Sequence, residues 1–181
     1  FPSVVIDDEK GGYDIGKYLL SMGHTSIGVI GGEDDNLHTR ARLAGFLRAM
    51  NEAGIIFDKD CLRFGEWNRE AGYREVPYLL EKEVTAIFCM NDSMAAGVYD
   101  FMYERGMTVG KDVSVVGYDN KDLSDYLRPR LTTNELPLKN IGQKAAEILL
   151  NMLERGEVYP QKNDVIKIPC DMVYRESVLK V

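Results

Sequence analysis

The chain has 181 residues, 45% of them hydrophobic, enough for one ordinary domain with a real core or for two small ones. Its 22 Lys and Arg stand against 29 Asp and Glu, a formal net charge of −7 that argues against a free-standing nucleic-acid binder, which needs clustered cations to release phosphate counterions. Three widely spaced cysteines, Cys61, Cys89 and Cys170, form no C-x-x-C pair and read as buried reduced thiols of a cytoplasmic protein, not as a disulfide framework or zinc site.

Along the chain, short apolar runs alternate with amphipathic stretches, the pattern of βαβ units and hence of an α/β fold with a parallel sheet flanked by helices. The expected strands are Val4–Ile6, Ile27–Ile30, Leu62–Phe64, Ala86–Cys89, Val113–Val116 and Val165–Ile168. The first lies at the very start, with no initiator Met before it, so a preceding segment is expected. Leu43, Phe46, Leu47 and Met50 recur at helical spacing, as do Met94, Val98, Phe101 and Met102, and later Ile141, Ala145, Ile148, Leu149 and Met152. Gly23, Gly54, Gly106 and Gly156 mark helix ends, where a left-handed terminal residue costs least without a Cβ. No apolar run approaches the roughly 20 residues that span a bilayer, and no signal peptide is visible.

After Val116 the alternation lapses into the loop Gly117 to Arg130, the run Leu131-Thr132-Thr133 and a helix opened by Pro137, before the last strand returns. Two lobes that share crossovers would produce such a path.

Ligands of open parallel sheets bind beyond the carboxyl ends of the strands, where loops converge and helix N-termini offer unpaired N–H groups. There the sequence places Arg40 and Arg42 with His38, then Trp67, then Asn91, then Asp119. Arg supplies a fork of donors, Asp accepts, Asn does both, and together they can saturate the hydroxyls of a small polyol. Trp67, the single Trp, offers a flat face to the C–H side of a sugar ring. Plainer roles compete at each position. Trp67 can be a packing residue, Asp92 an N-cap for the helix that follows, and Asp119 the holder of its own turn. Arg40 or Arg42 can pair on the surface with Glu33, Asp34 or Asp35. His24 follows Gly23 and is expected to cap helix carbonyls, whereas His38 is a plausible hydroxyl donor. Asp7 and Asp8 are adjacent in sequence and expected to point apart. No G-x-S-x-G, phosphate-loop, H-E-x-x-H or G-x-G-x-x-G pattern is present, so no catalytic residue, metal or cofactor is expected.

Five segments together resemble the LacI/GalR family of bacterial regulators. They are Gly23-His24-Thr25-Ser26-Ile27-Gly28-Val29-Ile30-Gly31, Arg42-Leu43-Ala44-Gly45-Phe46, Asn91-Asp92-Ser93-Met94-Ala95-Ala96-Gly97, Asp112-Val113-Ser114-Val115-Val116-Gly117-Tyr118-Asp119 and Leu131-Thr132-Thr133. The resemblance runs through nearly the whole chain, in order, and concerns the effector-binding core, which shares the fold of periplasmic sugar-binding proteins. It implies two lobes with a small-molecule effector in the cleft, a homodimer, and operator DNA bound through a headpiece absent from this chain. By resemblance Arg42, Asn91 and Asp119 contact the effector and Trp67 stacks on it. The implied division is 1–23 as a remnant of the N-terminal lobe, 24–131 as the C-terminal lobe, 132–160 as a return helix of the N-terminal lobe and 161–181 as the final strand region of the C-terminal lobe. Leu136 stands where many sugar-responsive members carry Gln, which departs from the pattern of hydroxyl recognition. The expected dimer surface is the helix from Met94 to Tyr103, including Val98, with Tyr126 and Leu127. A secreted sugar-binding protein that feeds a transporter is the alternative within the binding class, and a nucleotide-using transferase the alternative among enzymes.

Overall fold

The computed structural model describes residues 2–154 and 164–181. Gly156, Pro160 and the expected boundary at 160/161 lie outside the described residues. In chain order the elements are β1 (Ser3–Ile6), α1 (Asp8–Ser21), β2 (Ile27–Gly31), α2 (Leu37–Glu52), β3 (Leu62–Phe64), α3 (Arg69–Leu80), β4 (Ala86–Cys89), α4 (Asp92–Glu104), β5 (Ser114–Val116), α5 (Leu123–Tyr126), β6 (Thr133–Glu135), α6 (Leu138–Glu154), β7 (Val165–Ile168) and β8 (Asp171–Val173).

The main sheet is parallel, in the order β3-β2-β4-β5. Every residue of β2, β4 and β5 is buried. Strands covered on both faces read as unbroken apolar runs, which is why these segments stood out in the sequence. The chain moves one way from β2 to β3 and the other way from β3 through β4 to β5. With right-handed crossovers this sets α2 on one face and α3 and α4 on the other. The reversal makes a switch point between β2 and β4, the place where such sheets receive ligands.

Helices α1 and α2 form one close pair, α3 and α4 another. Each pair meets through reciprocal glycines. A Cβ on Gly12 would lie 2.0 Å from the Arg42 carbonyl oxygen, and one on Gly45 would lie 1.8 Å from that of Glu9. In the second pair, Gly72 faces the Met94 carbonyl and Gly97 that of Arg69, at 2.0 and 1.9 Å. Only residues without a side chain allow backbones this near.

Two small sheets complete the fold. β1 pairs in parallel with β7, from Ser3 opposite Val165 to Ile6 opposite Ile168, and α6 packs on β1. β6 pairs antiparallel with β8. The end of the chain then returns to the main sheet, where Val115 N–H donates to the Ser177 carbonyl, and to the end of α1, where Val181 N–H donates to that of Met22.

This pairing corrects two boundaries. Val165–Ile168 belongs with β1 and not with the main sheet, whose edge at β5 is taken by the segment around Ser177. Residues 1–23 are not one remnant either, because α1 packs on α2 and only β1 joins the smaller unit. Sequence order shows neither which sheet an apolar strand joins nor which helix an amphipathic helix packs against.

Candidate functional site

Asn36 caps α2, its carboxamide oxygen accepting from the N–H of His38 at 2.9 Å and of Thr39 at 3.4 Å. The helix begins there, so His38 and Arg42, four residues apart, share a face. The glycine contacts bring the first turn of α1 against that face, and Asp8 reaches both side chains. Its carboxylate accepts from Arg42 Nε at 2.7 Å and meets His38 Nδ1 at 2.6 Å. Asp8 and Arg42 are both buried. Arg42 also donates to the Met90 carbonyl at the end of β4. Its guanidinium lies 3.6 Å from the centre of the Tyr118 ring and 5.6 Å from that of Trp67.

Trp67 is partly buried against the core and covers Gly32, where a Cβ would fall 2.0 Å from the indole. Asn91 is the N-cap of α4: its oxygen accepts from Met94 N–H at 2.8 Å, and its Nδ2 donates to the Trp67 carbonyl at 3.1 Å. It therefore ties the Trp67 loop to the helix start.

Asp119 follows β5 in a turn of unusual backbone, with φ of +117° there and +53° at Asn120. The turn is pinned on both sides by Asp92. Asp92 N–H donates to the Tyr118 carbonyl, and its carboxylate accepts from Lys121 N–H at 2.7 Å and from Thr133 Oγ1 at 2.6 Å. Gly117 leaves room for that carboxylate, since a Cβ there would lie 2.3 Å from it. Asp119 also bonds the crossover, its N–H to the Asn134 carbonyl and its carbonyl to Leu136 N–H. Burial pushes the Asp92 carboxyl up to about 7. Burial also raises Asp119, against the opposing pull of Arg42 and Lys121, whose Nζ lies 3.2 Å away. A cleft lined by Asp119, Asn120, Glu135, Leu136, Lys139 and Asp171 runs from this turn to the start of α6.

The structure thus brings Arg42, Trp67, Asn91, Asp119 and His38 to the carboxyl ends of β2, β4 and β5. Several expectations change. Asn91, not Asp92, caps α4, and Asp92 instead joins the turn to the crossover. Arg42 pairs with Asp8, while Arg40 Nε donates to the Asp34 carbonyl. His24 caps its helix through the backbone, its N–H donating to the Leu19 carbonyl at 3.1 Å, whereas its ring meets Thr85 Oγ1 and the Leu179 carbonyl, holding the end of the chain to the main sheet. Met94 and Val98 are fully buried inside this chain and present nothing to a partner, whereas Tyr126 is 77% exposed and Leu127 partly buried. Sequence reasoning missed Asp8 and Tyr118. The rule that found the other residues, to look just past each strand, points to Asp8 as well once applied to β1. Tyr118 lay in a segment already singled out.

Among the described residues no group of His, Cys, Asp or Glu is placed to hold a metal, and no helix is long and apolar enough to cross a membrane. All three cysteines are buried and unpaired.

Residues 17–178 match the family described as the periplasmic binding protein-like domain. The HTH-type transcriptional repressor PurR of Vibrio parahaemolyticus is 36% identical over 180 residues, 98% of this chain and 53% of that protein. A LacI family transcriptional regulator from Enterococcus faecium, solved with bound ribose, superposes with a TM-score of 0.86 at 31% identity, covering 99% of this chain and 66% of that one. The lac repressor dimer bound to operator and an anti-inducer superposes with a TM-score of 0.85 at 29% identity, over 98% and 60%. The chain spans about half the length of the curated relatives it matches.

Proposed function

The chain belongs to the periplasmic binding protein-like domain family, in the form found in LacI-type regulators, and from that premise we propose that it is the effector-sensing part of a cytoplasmic transcriptional regulator. The effector is a small polyhydroxy compound of the sugar class. It lies between the main sheet and the unit of β1, β7 and α6, against Arg42, Trp67, Asp119 and His38. The observation that carries this reading is the meeting of a buried guanidinium, an indole and a carboxylate at the switch point between β2 and β4. Arg42 and Asp119 supply donors and acceptors for hydroxyls, and Trp67 the apolar face. The relatives named above are regulators, one of them with ribose bound, which favours this reading over a transporter's sugar-binding protein and over an enzyme.

Coupling runs through the crossovers. Asp119 is bonded to Asn134 and Leu136, and Asp92 to Thr133, so a ligand that draws on Asp119 acts on the segment leading to α6. Binding shifts the populations of two lobe angles, by no more than the difference in effector affinity between them. A homodimer would set two headpieces on a pseudo-palindromic operator. Tyr126 with Leu127 is its proposed surface.

Titration calorimetry of the full-length protein against pentoses, hexoses and their phosphates tests the effector. One sugar is expected to bind, and Arg42→Ala or Asp119→Ala to weaken it about tenfold or more, as for hydrogen bonds to charged groups. Unchanged binding in both variants would reject the site. Sedimentation tests the dimer, with Tyr126→Glu expected to shift the protein toward monomer and wild-type behaviour of that variant counting against the surface.

A further inference from the structure

We propose that Asp8 is a specificity-determining residue of the effector site: by holding Arg42 and His38 it makes the site accept an uncharged polyhydroxy ligand and refuse the same ligand bearing a phosphate. The inference rests on the effector reading above and deepens it.

An unpaired buried guanidinium would be a strong anion site, since its planar fork fits phosphate and carboxylate. Arg42 is not unpaired. Asp8 takes its Nε at 2.7 Å, and the Met90 carbonyl takes one further N–H. Tyr118 closes one face of the guanidinium at 3.6 Å. The remaining N–H groups of Arg42 have no partner among the described residues, so they stay available to a neutral acceptor such as a hydroxyl or ring oxygen.

The charges around Arg42 point the same way. Asp119 lies close enough for its carboxyl to respond to both Arg42 and Asp8, and it carries its own cation, Lys121, at 3.2 Å. His38 meets the second oxygen of Asp8 at 2.6 Å. Two carboxylates therefore already answer the two fixed cations. A phosphate brought to Arg42 would enter beside Asp8 and Asp119, and like charges set side by side repel. Specificity of this kind comes from a repulsive element as much as from an attractive one. The neutral ligand loses nothing, because carboxylates accept from hydroxyls.

Asp8 is placed to do this by the fold. It opens α1, capped by Asp7, and the glycine contacts of Gly12 and Gly45 fix α1 against α2 at the turn that carries Arg42. It also lies two residues past the end of β1, on a crossover between the two parts of the molecule.

The test uses the full-length protein and calorimetry with matched pairs: ribose and ribose 5-phosphate, glucose and glucose 6-phosphate, fructose and fructose 6-phosphate. Wild type is expected to bind a neutral member about tenfold or more tighter than its phosphate. Asp8→Asn, which keeps the shape and removes the charge, is expected to narrow or invert that ratio, and Asp8→Glu to keep the preference. Thermal unfolding of each variant separates loss of fold from change of ratio, and if Asp8→Asn does not fold the wild-type and Asp8→Glu ratios still decide the matter. Equal binding of both members by wild type, or an unchanged ratio in a folded Asp8→Asn, overturns the inference alone. Binding of no member of any pair overturns the effector reading together with it.

Discussion

The main sheet with its two helix pairs and the unit of β1, β7 and α6 are built from similarly apolar sequence, yet they bury it very differently. In the first, β2, β4 and β5 are covered throughout and nine of the thirteen residues of α4 are buried, all but Asp92 of them aliphatic, aromatic or glycine. In the second, no residue of α6 is buried, and Leu138, Leu149, Leu150 and Leu153 are exposed, as is Val165 of β7. Periodicity alone gives both helices an apolar stripe, Met94, Val98, Phe101 and Met102 in one and Ile141, Ala145, Ile148, Leu149 and Met152 in the other. The difference teaches that an apolar stripe marks a face seeking cover, and that whether cover exists depends on the elements around it.

Substitutions at helical glycines break this comparison most sharply. Gly45→Ala would set a Cβ 1.8 Å from the Glu9 carbonyl, forcing α1 from α2, and is expected to cost about 1–3 kcal/mol as an overpacking change. Gly142 of α6 has open space where its Cβ would stand, so Gly142→Ala is expected to stabilise by about 0.5–1 kcal/mol through helix propensity. Urea unfolding of both variants checks the pair, and a destabilising Gly142→Ala would mean that α6 is covered after all.

A smaller effect, confined to the main body, is the dependence of stability on pH. Burial lowers the pKa of His24, so its contribution is present above the free imidazole value of about 6.5 and is lost as pH falls below it. Asp92 has the opposite sign. Its folded carboxyl is pushed up to about 7, so its contribution is present below the ordinary carboxylate value and is lost as pH rises through about 7. Urea midpoints followed from about pH 5 to about pH 8 should show the two slopes opposed. Asp92→Asn is expected to leave the rise toward neutral pH, and His24→Gln to leave the fall. A midpoint that still falls toward pH 7 in Asp92→Asn would reject the assignment to Asp92.

Much of the fold was legible because its signals are local. All six expected strands form, with ends displaced by at most one residue, and Gly23, Gly54 and Gly106 take the positive φ that their positions after helices suggest. The short β6 and β8 were not foreseen, since Thr133-Asn134-Glu135 and Asp171-Met172-Val173 carry no apolar run of the kind that marks the equally short β3 and β5. The failures concern partners. Met94 and Val98, expected on a dimer surface by resemblance, are buried within this chain because α4 is covered on more than one side. Asn91 and Asp92 offer the same capping chemistry side by side, and only the backbone decides which of the two precedes the helix.

Residue types at strand ends were enough to select Arg42, Trp67, Asn91 and Asp119 as candidates, because a parallel sheet sends every such loop to one edge. The sequence by itself thus determined the fold class, the edge at which chemistry gathers and the residues gathered there. Tertiary structure alone decided what those residues hold. Asp8 and Arg42 are 34 positions apart and meet only because Gly12 and Gly45 let two helix backbones touch. Ion pairs and burial are properties of distances in space, which local propensity and periodicity do not encode.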